Sequence, residues 1–267
     1  MKAAPFSCHW SGRDPSAAGA GGIGHNDGSV AGSPRESQMT GRDLSDRRIV
    51  VLGGTGALGH AVTGRFRDDG ASVLVADARP PSQERRHEGV EYVTVDVLDE
   101  ASVAAAFAVS PPPRAVVNLI GGFTPPQALS GLDVSVLRQQ LELNLVTATI
   151  VTKHAMPVLA AQGGGALVHV SSRVATEKGE NGFAYSVSKL GVVRLVEAAA
   201  GEGREQGVRV NCIMPSIIDT PANRAAMPGA KHHRWPKPAQ LAAVLAFLVS
   251  DDATLISGAA IPVYGLA

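Results

Sequence analysis

Cysteine is nearly absent. Cys8 and Cys212 are the only two in 267 residues, one in a polar stretch and one in an apolar, strand-like run. This excludes a disulfide framework and a cysteine-built metal site, and it fits a reducing, cytoplasmic setting. An excess of charge is missing too, with 24 basic residues against 24 acidic ones. No global field therefore draws the chain to nucleic acid or to an anionic membrane. No apolar run reaches about eighteen residues, so no transmembrane helix is expected, and the N-terminus lacks the apolar core of a secretory signal. What is present is 45% hydrophobic residues, enough for one sizeable core in one large α/β domain or two small ones.

Residues 1–46 are rich in Gly, Ser, Ala and Pro and have neither a strand nor a helix period, which predicts a disordered extension. The GAGGIG stretch from Gly19 to Gly24 has no strand before it and no apolar helix after it, so it is not read as a phosphate loop. Asp14, Asp27 and Glu36 argue against a transit peptide. Met39, just before the first structured element, is a competing start of translation.

From Arg48 the pattern changes. A β-branched run to Leu52 is followed by GGTGALG, Gly53 to Gly59, and then by helical spacing at Ala61, Val62 and Phe66. Strand, glycine loop and helix in that order suit a pyrophosphate, because glycine permits close backbone approach and a helix N-terminus presents free N–H groups. A second strand from Ser72 ends in Asp77, eighteen residues after Gly59. A carboxylate there accepts from both ribose hydroxyls and repels a 2′-phosphate, which predicts NAD(H) in preference to NADP(H). Arg79, two residues on, could partner a 2′-phosphate if Asp77 turned away, so NADP(H) is not excluded.

Further strands are expected at Val90–Val95, Ala115–Ile120, Ala166–Val170, Val208–Ile213 and Ala259–Val263, with helices between them. Tyr185 and Lys189 lie four apart, so a helix beginning near Phe183 puts both side chains on one face. A phenol is a weak acid and a poor base near neutrality, and a neighbouring ammonium lowers its pKa. Ser172, thirteen residues before the tyrosine, sits where a buried strand ends, with its hydroxyl available to a substrate oxygen. A Tyr/Lys pair at this spacing also occurs by chance on many helices, so the pair acquires meaning only with the glycine loop and Asp77.

With those motifs in register, residues 47–267 resemble the short-chain dehydrogenase/reductase family. The family's glycine pattern TGxxxGxG is matched at Gly53 and Gly59, with Leu52 in place of its threonine and Ala57 in place of its middle glycine. The form GGxGALG is similar to that of dihydropteridine reductases, which are family members. The resemblance implies a single Rossmann-like, doubly wound α/β domain with a parallel sheet of about seven strands. It implies Asn144, Ser172, Tyr185 and Lys189 as the catalytic set: the tyrosine exchanges a proton with a carbonyl or alcohol oxygen, the serine polarises that oxygen, the lysine lowers the tyrosine pKa and binds ribose, and the asparagine perturbs its helix and holds a water that links the lysine to solvent.

The same resemblance assigns cofactor contacts to Gly53, Thr55, Gly56, Ala57, Leu58 and Gly59 in the loop, to Asp77, to Asp96 and Val97 beside adenine, and to the NLIGG stretch through Asn118, Gly121 and Gly122. Tyr185 and Lys189 join these, as do Pro215, Ile218 and Thr220 near the nicotinamide carboxamide, in a segment where Ser216 replaces the family's glycine. His169 reads as a packed histidine rather than a base. Residues 223–238, with Met227 and Trp235, are expected to form a short, mobile lid suited to a compact or flat substrate. His232 and His233 have no third ligand at metal spacing, so no metal is assigned. The family also implies a homodimer or homotetramer associating through the helices that contain Asn144 and Tyr185, with Val192, Val193 and Val196 as the outer stripe. The function expected is NAD(H)-dependent interconversion of a small-molecule carbonyl and a secondary alcohol. A dihydropteridine-type reductase and a non-catalytic nucleotide-binding regulator are the alternatives.

Overall fold

The computed structural model describes residues 42–177 and 182–267. Most of the 1–46 extension, including the 19–24 glycine stretch, and residues 178–181 between Ser172 and Tyr185 lie outside the described residues. The last part of the expected extension belongs to the folded domain: Leu44 is fully buried and its N–H donates to the Asp69 carbonyl at 2.8 Å.

Seven parallel strands form one sheet, β1 Arg48–Leu52, β2 Ser72–Asp77, β3 Glu91–Thr94, β4 Ala115–Asn118, β5 Gly165–Val170, β6 Val208–Pro215 and β7 Ala260–Val263, in the order β3-β2-β1-β4-β5-β6-β7. The helices are α1 Ala57–Asp68, α2 Glu100–Phe107, α3 Val134–Leu141, α4 Thr147–Ala161, α5 Phe183–Gly203, α6 Pro221–Ala226 and α7 Pro238–Val249. The strands are apolar on both sides because alternate residues enter opposite layers. Ile49 and Val51 join α1 and α7, while Val50 and Leu52 join α2, α4 and α5. Chain progression reverses between β1 and β4, so a crevice opens at their carboxyl ends. β4 stops at Asn118 because its side-chain oxygen accepts from the Ile120 N–H at 3.1 Å, turning the chain out of the ladder.

The helical stretch from Val134 to Ala161 is continuous but not uniform. Between α3 and α4 lies one π turn, Glu142–Val146, with Asn144 buried at its centre. Asparagine disfavours a regular helix interior, and the wider turn aims its amide inward, where it finds four partners.

Two expectations change. Val192, Val193 and Val196 are buried within the chain, the latter two in the layer with β5 and β6, so they form no outer stripe. Their face of α5 is the one that packs on the sheet. The 223–238 segment is not a loose lid: most of α6 and a short His232–Arg234 turn fall in it, and Trp235 is buried. Its end is tied down by hydrogen bonds from Asp219 N–H to Pro236 O and from Leu266 N–H to Arg234 O, both at 2.9 Å.

Candidate active site

The glycine loop is shaped by close packing of backbone. Gly53 adopts φ +77°, and a Cβ there would lie 3.1 Å from Ile120. At Gly59 a Cβ would come within 2.3 Å of the Gly53 carbonyl oxygen, so α1 can begin against the loop only if this residue has no side chain. Gly56 is the N-cap of α1 without a side-chain cap bond, and the nearest atom to a Cβ on it is 3.8 Å away. The first-turn N–H groups around Ala57 and Leu58 therefore face open space, as an anionic group requires. Ala57 is exposed, so the methyl that replaces the family's glycine points away from the packed loop.

Asp77 closes over this loop from the end of β2. One oxygen, Oδ2, accepts from the Thr55 N–H at 3.1 Å and from the Thr55 hydroxyl at 2.7 Å. Arg79 is exposed. Asp96 is exposed beyond β3, where Oδ1 accepts from the Leu98 N–H at 3.0 Å, and Val97 is partly buried beside it. Asn118 turns inward: Nδ2 donates to His169 Nδ1 at 3.2 Å, and His169 Nε2 meets the Thr152 hydroxyl at 3.0 Å. Burial, with the positive charge of Lys189 second, holds His169 down at about 3, so it is a neutral core group that orients Asn118.

The catalytic candidates come together at the carboxyl ends of β4 and β5. Ser172 follows β5 and Tyr185 stands in the first turn of α5, with the serine hydroxyl close enough to act on the phenol. Burial raises the phenol above its ordinary value, and this hydroxyl is the group that draws it down. Lys189 stands one turn further along α5. Its Nζ lies 5.9 Å from the Tyr185 ring centroid and donates to the Val170 carbonyl at 3.1 Å. Burial in turn pushes Lys189 down to about 8, near enough to neutrality for it to take up and release a proton. Ser171 is separate from this chemistry, since its buried hydroxyl donates to the Lys189 carbonyl at 2.7 Å.

Asn144 links the lysine region to the glycine pair after β4. Its Oδ1 accepts from Gly122 N–H and its Nδ2 donates to Gly122 O, both at 3.0 Å, while Nδ2 also meets Gln140 Oε1 at 3.2 Å and Ser188 Oγ at 3.1 Å. A Cβ on Gly121 would lie 2.7 Å from Asn144 Oδ1 and 2.8 Å from Lys189 Nζ, so only glycine passes between them. Pro215 is buried at the end of β6. Ile218 is partly buried, and the Thr220 hydroxyl accepts from Asn223 N–H at 3.2 Å as the cap of α6. Ser216 gives its segment a definite anchor, donating to the Tyr264 carbonyl at 2.7 Å.

Three contributors escape a reading by motif. Gln140 and Ser188 support the Asn144 amide, and the only trace of Gln140 in the sequence is its position one turn before Asn144 on an otherwise apolar face. Phe123 is the third: its ring meets that of Tyr185 edge to face at 5.2 Å while remaining 67% exposed.

Residues 54–265 match the family model described as enoyl-(acyl carrier protein) reductase. The chain belongs to the short-chain dehydrogenase/reductase family. Its relatives include cis-4-hydroxycyclohexanecarboxylate dehydrogenase of Sinomonas cyclohexanicum, 31% identical, with 84% of this chain and 98% of the relative covered. 7α-Hydroxysteroid dehydrogenase of Bacteroides fragilis is 27% identical over 83% of this chain and 94% of its own. Among solved structures, a short-chain type dehydrogenase/reductase from Mycobacterium ulcerans superposes with a TM-score of 0.77 at 29% identity, covering 83% of this chain and 90% of that one. The first two are by name dehydrogenases of hydroxy compounds, and the family uses nicotinamide cofactors. Among the described residues, no helix is long and apolar enough to cross a membrane.

Proposed function

We propose that the chain is an NAD(H)-dependent oxidoreductase that interconverts a secondary alcohol on a ring and the corresponding ketone. The observation that carries this is the Tyr185 phenol, with the Ser172 hydroxyl acting on it and, one turn along the same helix, Lys189, whose Nζ is held on the Val170 carbonyl and lowered to about 8. The glycine cradle and the Gly121–Gly122 passage fit a dinucleotide, since a Cβ at Gly53, Gly59 or Gly121 would meet neighbouring atoms at 3.1 Å or less. A nicotinamide dinucleotide, when bound, supplies or accepts the hydride.

The remaining work falls to the chain. In reduction Tyr185 gives its proton to the substrate oxygen while the Ser172 hydroxyl donates a second hydrogen bond to it; in oxidation Tyr185 receives the alcohol proton. Lys189 binds the ribose hydroxyls and returns a proton toward Tyr185, and Asn144 holds the loop and a water that pass that proton to solvent. Asp77 supports NAD(H) over NADP(H), because a carboxylate with its second oxygen free accepts from ribose hydroxyls and repels a phosphate. The ring preference rests on exposed apolar groups beside the site, Phe123, Val174 and Ile217. It also rests on the cyclic alcohols in the names of two relatives.

Turnover of a panel of cyclic and acyclic secondary alcohols with NAD tests this reading. Cyclic alcohols should be the better substrates, and Tyr185→Phe should lose activity by a factor of about a thousand or more while still binding NADH. Phe123→Ala should raise KM for cyclic alcohols several-fold and leave that for 2-propanol unchanged. Turnover of quinonoid dihydropterin instead, or NADH binding with no turnover at all, would overturn it. The same preparation should run as a homodimer or homotetramer on sedimentation, through helix faces where Val146 and Leu190 are exposed.

A further inference from the structure

A second cavity lies at the opposite end of the sheet from the catalytic crevice, where β4, β5 and β6 begin. Its volume is about 660 Å³, the size of a small-molecule site. Four arginines line it, Arg47, Arg114, Arg204 and Arg209, against two carboxylates, Glu197 and Asp251. Both carboxylates are already paired, Asp251 with Arg47 at 2.6 Å and Glu197 with Arg194, which lies outside the lining. Arg114, Arg204 and Arg209 thus line one space without an ion pair of their own among the described residues, although the Asp251 charge also reaches Arg209 and Arg114.

Each is held differently. Arg209 donates to the Leu248 carbonyl at 2.9 Å and the Ser250 carbonyl at 3.0 Å, neutral acceptors that orient the fork without cancelling its charge. Burial and, after it, the nearby Arg47 push Arg209 below its ordinary range, while the Asp251 carboxylate draws it back up. Arg114 donates to the Gln162 carbonyl, and the Arg204 side chain, at the cavity wall, makes no hydrogen bond or ion pair among the described residues. Part of the wall is glycine backbone, Gly163 to Gly165 and Gly207. Gly164 has φ +118°, and a Cβ there would lie 2.5 Å from the Gly207 carbonyl oxygen, so this part of the wall carries no side chain.

We propose that this cavity binds a phosphorylated small molecule carrying at least two negative charges, held by Arg114, Arg204 and Arg209. Guanidinium forks match phosphate oxygens in pairs, and several of them around one concave space bind multiply charged phosphate far better than a single charge.

The experiment is calorimetric titration of the full chain with inorganic pyrophosphate, NADH being present at saturation so that the glycine loop is filled. Binding to the wild type is expected, weakened at least tenfold in Arg114→Ala/Arg204→Ala and in Arg204→Glu, with NADH affinity and alcohol turnover unchanged. Circular dichroism confirms that the variants fold, and the single exposed substitution retains the test if the double variant does not. A wild type that binds no pyrophosphate, or variants that bind it as well as the wild type, would overturn the site. Citrate bound as tightly as pyrophosphate would overturn the phosphate assignment.

Discussion

The side-chain amide of Asn144 closes both hydrogen bonds of Gly122, accepting from its N–H and donating to its C=O at 3.0 Å each. It mimics a neighbouring strand at the point where β4 has already ended, and so fixes the glycine pair against Lys189. Replacing it with alanine leaves two backbone groups without partners, each worth about 1–3 kcal/mol if buried. Asn144→Ala should therefore lose roughly 2–4 kcal/mol in urea denaturation and weaken NADH binding. Unchanged stability would mean that the loop holds itself.

The phenol of Tyr185 is raised by burial and drawn down by Ser172. Oxidation of an alcohol needs it deprotonated, so kcat/KM in that direction should climb with pH through the neutral range, by about tenfold per unit. Ser172→Ala removes the group that favours the phenolate, so the climb should move to higher pH. A profile flat from pH 6 to 9 in the wild type would argue against a phenol as the base.

Thr55 depends on Asp77 for two hydrogen bonds, at 3.1 and 2.7 Å. Asp77→Ala removes both the loop support and the repulsion of a 2′-phosphate. NADH should stabilise the wild type against heat more than NADPH does, and the difference should shrink or reverse in the variant. Greater stabilisation of the wild type by NADPH would contradict the assignment.

His169 is the clearest acid-sensitive group. Its pKa falls from 6.5 in the unfolded chain to about 3 in the fold. The stabilisation is complete above pH 6.5 and is lost as the pH falls toward 3, because the unfolded chain takes up a proton that the folded one refuses. Each unit in that window costs about 1.4 kcal/mol. Between pH 7 and 5 the wild type should lose stability more steeply than His169→Gln, as measured by denaturation at each pH.

Local chemistry made much of the molecule legible from the amino-acid order. The β1, loop and α1 unit follows from a β-branched run, glycines that alone tolerate the tight loop, and a 3.6-residue apolar period. The Tyr185/Lys189 pairing follows from helical spacing, and the resemblance carried by these motifs extended the reading to the whole domain. Other features depend on partners far away in sequence, which no local pattern encodes. The π turn and its clamp join residues 122, 140, 144 and 188. Packing across the sheet turned the Val192, Val193 and Val196 face inward, and the C-terminal segment pinned the region around Trp235. Lys189 is the sharpest case: spacing alone sets it one turn from Tyr185, but the Val170 carbonyl and the surrounding burial decide where its ammonium points and that it titrates near 8.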